Sequence, residues 1–195
     1  MDINKLVERV KNILLTPKTE WPVIAQEQTD VAKLYTGYIM ILAAIPAVFG
    51  FLSSIAFSRV GFGLNLGVLI LSYAFSLGLV FVIALIIDAL APTFGAEKNQ
   101  IQALKTVAYA YTPSWVAGVF LIIPVLGWLI ALAGGIYSLV QLYFALPHTM
   151  KSPPEKTGGY FAVVLVCAVV ISWILGMIVA GITIGSAISA AALHG

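Results

Sequence analysis

The sequence predicts an all-α membrane protein with five transmembrane helices, the N-terminus cytoplasmic and the C-terminus outside. Three observations lead there. The intervals 34 to 58, 60 to 87, 106 to 150 and 157 to 195 contain no Asp, Glu, Lys or Arg, which makes uncharged runs of 25, 28, 45 and 39 residues. A bilayer core about 30 Å thick needs roughly 20 apolar helical residues to cross it. Pro124 and Gly127 split the longest run near its middle, and nine of the ten basic residues fall on one side of the resulting topology. Composition agrees, with 61% hydrophobic and 9% charged residues and a mean hydropathy of +1.05, far from the values of soluble domains.

The elements follow in order. Residues 1–30 form a cytoplasmic amphipathic segment, and 31–195 form the membrane domain. Spans one and two cover about 34–57 and 66–90, joined by a loop of Ser58, Arg59, Gly61 and Gly63. The Pro124–Gly127 turn divides the 45-residue run into spans three and four, at 101–123 and 128–146. Span five is one long helix over 160–184, followed by a small-residue tail from Gly185 to Gly195. Lys5, Arg9, Lys11, Lys18, Lys33, Lys98, Lys105, Lys151 and Lys156 then share the cytoplasmic side, and Arg59 is alone outside. Trp128, Tyr35, Tyr38 and Tyr160 fall at span ends, where interfacial aromatic residues belong.

In the N-terminal segment, Ile3, Leu6, Val7, Val10, Ile13 and Leu14 form one helical stripe opposite Lys5, Glu8, Arg9 and Lys11. This amphipathic helix either lies in the headgroup plane of an anionic leaflet or packs on the protein's own helices. Lys5, Arg9, Lys11 and Trp21 are its candidate interfacial anchors. Pro17 and Pro22 bracket Lys-Thr-Glu-Trp in a turn before a short second helix that aims the chain into span one.

Polar groups at membrane depth gather in the cytoplasmic half: Asp88 closes span two, Tyr109 and Tyr111 begin span three with Pro113 beside them, and Tyr137, Gln141 and Tyr143 lie late in span four. Their placement suggests an inward-facing polar vestibule between spans two, three and four. The competing reading is that hydroxyls and amides bond across helices only to fix packing, and that Asp88 snorkels to water. Pro113 removes a backbone donor and predicts a kink. Small residues at Gly176, Ala180, Gly181 and Gly185 make span five the expected contact face for a second copy.

Catalytic chemistry is absent from the pattern. No nucleophile with a base, carboxylate pair, metal cluster or phosphate-binding loop can be assembled, so neither an enzyme, a cofactor nor a metal is expected. Cys167 is the only cysteine, and the basic residues are too dispersed and too mixed with acids for nucleic acid. The expected partners are the lipid bilayer, a second copy, and a membrane or cytoplasmic protein.

The segments 13–27 (Ile-Leu-Leu-Thr-Pro-Lys-Thr-Glu-Trp-Pro-Val-Ile-Ala-Gln-Glu), 108–115 (Ala-Tyr-Ala-Tyr-Thr-Pro-Ser-Trp) and 146–156 (Leu-Pro-His-Thr-Met-Lys-Ser-Pro-Pro-Glu-Lys) resemble bacterial members of the Yip (Ypt-interacting protein) integral membrane family. The resemblance implies five spans with a cytoplasmic N-terminus, and a place in a bacterial cytoplasmic (inner) membrane. It emphasises Tyr109, Tyr111 and Pro113, and also Pro147, Lys151, Pro154, Glu155 and Lys156 in the last inner loop. Lys98, Lys105 and His148 complete the cytoplasmic loop candidates. Eukaryotic relatives are associated with Rab-type GTPases, vesicle formation and membrane shaping. This chain lacks their long polar cytoplasmic domain, so Rab binding is not carried over. The expected function is a non-enzymatic scaffold that organises membrane or binds partners at the cytoplasmic leaflet. The alternative is a small transporter or channel using the polar vestibule.

Overall fold

The computed structural model describes residues 3–57 and 62–194, with backbone alone at 62, 64 and 186–194. Of the predicted outer loop, Ser58, Arg59 and Gly61 lie outside the described residues. Every regular element among the described residues is helical.

Two short helices open the chain, α1 (Ile3–Leu15) and α2 (Pro17–Gln26). The turn between them falls at Thr16. The stretch Lys18–Trp21, expected as a turn, is helical instead, because Pro17 sits at the first helical position, where its missing N–H loses no bond.

Among the described residues four helices are long and apolar enough to cross a membrane: Val31–Phe57, Asn65–Phe94, Leu126–Thr149 and Pro154–Gly185. The first combines α3 (Val31–Leu34), a π-helical turn (Tyr35–Ile39) and α4 (Met40–Phe57). Asp30 caps it, its carboxylate accepting the Lys33 amide at 2.8 Å. That bond and the Lys33 ammonium hold the Asp30 carboxyl below the usual range. The second is α5 (Phe62–Leu90) with a 3-10 turn at Ala91–Phe94.

The expected third span is not one helix. It consists of α6 (Gln100–Ala110), α7 (Thr112–Ala117) and a 3-10 turn (Gly118–Ile122). The break at Tyr111 has its cause in Pro113, which cannot donate to the Tyr109 carbonyl. The junction is held from outside by Tyr38, whose hydroxyl lies 2.7 Å from that of Thr112. Every residue from Ala103 to Ala110 is buried, and α6 packs chiefly between α5 and the later helix over 126–149, with α2 and α3 also touching it. Beyond Tyr111 the chain swings aside against α4. It packs there so closely that a Cβ on Gly118 would lie 2.6 Å from Pro46 Cβ.

The turn predicted at Pro124–Gly127 is present. Val125 takes φ 64° and α8 (Leu126–Thr149) begins at once. Gly127 is required there, because a Cβ would fall 1.9 Å from the Phe120 carbonyl oxygen. The last helix, α9 (Pro154–His194), is longer than expected, and the presumed tail continues it. That tail is rich in alanine and has no proline to stop a helix. Its first part lies inside the bundle, with Thr157, Tyr160, Val164 and Ala168 buried in one stripe.

The loops 91–99 and 150–153 meet at one end of the bundle. The Glu97 amide donates to the Met150 carbonyl at 2.8 Å, and Lys151 pairs with the Glu97 carboxylate at 2.8 Å. This is the charged end, and the Val125 turn marks the far end. Large fully buried side chains such as Trp21, Tyr38, Ile87, Leu104, Leu146 and Tyr160 belong to the charged half. Tyr38 and Tyr160, expected at the interface, are therefore core residues, their hydroxyls bonded to Thr112 and to the Ile87 carbonyl.

Candidate functional site

The last carbonyls of a helix have no partner within it and must find one elsewhere. The carbonyls at the ends of α1 and α2 find theirs on the bundle. The Gln141 amide, fully buried on α8, donates to the Ile13 carbonyl at 2.8 Å. Four residues earlier on the same face, Tyr137 donates its hydroxyl to the Leu14 carbonyl at 2.9 Å. Gln141 also accepts the Trp21 indole N–H at 2.8 Å. One amide thus ties the two helices together and both to α8.

At the end of α2, the Lys105 ammonium reaches the carbonyls of Ile24, Ala25 and Glu27 at 2.7, 3.2 and 2.8 Å. Gln102 adds a second bond to Ala25 at 2.8 Å. Lys105 is only 1% exposed, so it is not the loop residue its position suggests. Its charge is balanced by the negative end of a helix, where a cation is favoured. Arg9 joins α1 to α2 through Glu20 and, at 2.8 Å, Glu27, and its guanidinium lies 5.6 Å from the Tyr109 ring centre.

Tyr109, Tyr137 and Gln141 are therefore brought together, and the space between them is filled by the N-terminal hairpin. Trp21 is fully buried rather than interfacial, since its N–H has an acceptor inside the bundle. Arg9 faces inward to its carboxylates, while Lys5 and Lys11 stay exposed. The apolar stripe of α1 is divided: Ile13 is buried and Leu6 and Val10 touch the core, whereas Ile3 and Val7 are 76% and 57% exposed.

The remaining candidates lie elsewhere. Tyr143 is half-exposed and packs edge-on to Phe161. Tyr111 and Pro113 sit at the α6–α7 break. Asp88 is largely buried, at 9% exposure, and its Oδ1 has no hydrogen-bond partner. Lys98, His148, Lys151, Glu155 and Lys156 form the exposed charged end, with His148 Nδ1 2.8 Å from the Phe144 carbonyl. Gln102 escaped the sequence reading. Its signal was the pairing with Lys105 at i+3 at the start of an otherwise apolar helix.

Comparison with known proteins agrees with the fold. The Yip1 domain matches residues 11–177. The chain is also 22% identical over 171 residues to the inner membrane protein YohC of Escherichia coli strain K12, covering 82% of this chain and 87% of that protein. YohC of E. coli O6:H1 strain CFT073 matches equally. No solved structure matches. Four apolar helices and these relatives make the protein an integral inner-membrane protein. With the Yip1 domain covering most of its length, the chain belongs to the Yip1 domain family.

Proposed function

We propose that the protein is a non-catalytic scaffold that organises the membrane at its cytoplasmic leaflet, with the N-terminal hairpin as the working part. The observation that carries this reading is the seating of α1 and α2 on α8 through Gln141 and Tyr137. Counting 1.5 Å per residue from Thr149, these contacts lie about 12 and 18 Å along α8. That depth corresponds to one leaflet of hydrocarbon. The hairpin turns Ile3, Val7, Leu15 and Val23 outward, while Lys5, Lys11 and Lys18 are long enough to reach headgroups. A rigid wedge of this kind widens one half of the bundle.

In this reading the charged end is cytoplasmic, since nine of the ten basic residues precede span one or lie in the loops of that end. The broken segment 100–122 is the fifth crossing, because its two ends adjoin opposite ends of the bundle. A cytoplasmic protein would meet the exposed Lys98, Glu155 and Lys156. Transport through the polar cluster finds no support, because the cluster is occupied by the chain's own indole and carbonyls.

The test is reconstitution into anionic vesicles and measurement of their diameter by electron cryomicroscopy. Wild-type protein at high density narrows or tubulates the vesicles, and the double change Ile3→Asp, Val7→Asp leaves them round. Equal diameters for both proteins would refute the wedge.

A further inference from the structure

We propose that a cavity in the far half of the bundle holds the acyl chains of a bilayer phospholipid. The cavity follows from the path of the chain. α6 packs between α5 and α8 as far as Ala110, whereas α7 beyond it packs on α8 and α4 and leaves α5. The buried stripe of α9 ends at Ala168, so no helix replaces α6 on the axis beyond that level. The space left measures about 1150 Å³ and is lined by Phe57, Tyr111, Leu139, Leu165, Trp128 and Trp173 among others. A chamber of about 70 Å³ between Ile83, Ser138 and Ala168 adjoins its floor, sharing Tyr111 and Gly135 with it.

The occupant follows from where the cavity is and what lines it. Both walls of its mouth, α8 and α9, are membrane spans, and they carry Trp128 and Trp173 there, 76% and 68% exposed. The slot between them opens sideways into lipid. Among the described residues no Asp, Glu, Lys, Arg or His lines it, so these walls offer a charged solute no partner, whereas hydrocarbon fills the space without losing a hydrogen bond. Its volume of about 1150 Å³ exceeds the roughly 300–1,000 Å³ common for ligand pockets, which suits chains rather than a small solute. The two tryptophans at the rim match the depth at which indoles meet headgroups. The lipid is thus held by its tails, with the headgroup left at the rim.

Gly135 supplies the means to test this. A Cβ there would meet nothing within 4 Å, so Gly135→Phe places a ring in the cavity floor without a backbone clash. The protein is reconstituted in vesicles of phosphatidylethanolamine and phosphatidylglycerol carrying a diazirine near the acyl end, irradiated, and mapped by mass spectrometry. Adducts are expected at Tyr111, Leu139 and Leu165 as well as at Ile70, which faces outward on α5. In Gly135→Phe the cavity adducts fall about tenfold while those at Ile70 persist. The milder Gly135→Leu gives an intermediate loss and guards against a variant that misfolds. Labelling of Ile70 with none at Leu139 and Leu165 in the wild type would overturn the proposal. So would a photoreactive residue at 135 that crosslinks to a second copy of the chain instead of to lipid.

Discussion

Trp21 and Gln141, 120 residues apart, meet in the buried half of the bundle, the indole N–H donating to the amide oxygen at 2.8 Å. The same amide caps the Ile13 carbonyl, so its loss would leave two buried groups unpaired. A buried donor or acceptor without a partner costs about 1–3 kcal/mol. Gln141→Leu is therefore expected to lower the stability of the detergent-solubilised protein by about 2–4 kcal/mol, read as a fall in thermal midpoint.

Lys105 makes a second expectation. It holds three carbonyls at the end of α2 with a buried ammonium, and a buried acceptor left without its partner costs about 1–3 kcal/mol. Lys105→Met should release the hairpin before it unfolds the bundle. Limited trypsin digestion of membrane vesicles would show cleavage at Arg9, Lys11 and Lys18 much faster than in the wild type. Cleavage at Lys151 and Lys156 should be unchanged.

Gly118 and Pro46 fix the close approach of the broken third segment to α4. A methyl group at 118 would sit 2.6 Å from Pro46 Cβ, and overpacking of this kind costs about 1–3 kcal/mol. Gly118→Ala is expected to lower the thermal midpoint measurably, whereas Gly78→Ala, where a Cβ meets nothing within 4 Å, is expected to raise it slightly through better helix propensity.

Asp88 carries a buried carboxylate oxygen with no partner. Asp88→Asn keeps the shape of the side chain and replaces the carboxylate with an amide, whose N–H can seek an acceptor nearby. The expected result is an unchanged fold and an equal or higher thermal midpoint, measured beside the wild type in one detergent. A midpoint several degrees lower would show that the carboxylate is held by a group these contacts do not reveal.

The sequence carried the membrane fold because hydrocarbon imposes its own signature. The charge-free runs, the Val125 turn prepared by Pro124 and Gly127, and the break at Pro113 are all local consequences of backbone chemistry. The polar residues were legible as a set, since Tyr109, Tyr137 and Gln141 share one depth. What they bind was not. Tyr137 and Gln141 bind helix-end carbonyls more than 120 residues upstream, and carbonyls leave no mark in a pattern of side chains. Lys105 looked like a loop cation because it stands one residue outside an uncharged run. Only the approach of α2 buries it. The far cavity was hidden for a related reason, as it depends on where α6 leaves the axis and not on any residue type.

The central claim is that the hairpin is seated on α8 within the membrane-embedded half of the bundle, and short-range crosslinking tests it most directly. Cys167→Ala removes the native thiol, and Leu14→Cys with Tyr137→Cys places one thiol on each side of a neighbouring contact while the Gln141 bonds to Trp21 and Ile13 stay in place. In native membranes a short bismaleimide should join the pair in most molecules, trapping an intramolecular product with altered gel mobility, while Lys5→Cys with Tyr137→Cys should remain unlinked. Absence of the Leu14–Tyr137 product, with both thiols still reactive to a single maleimide, would contradict the account.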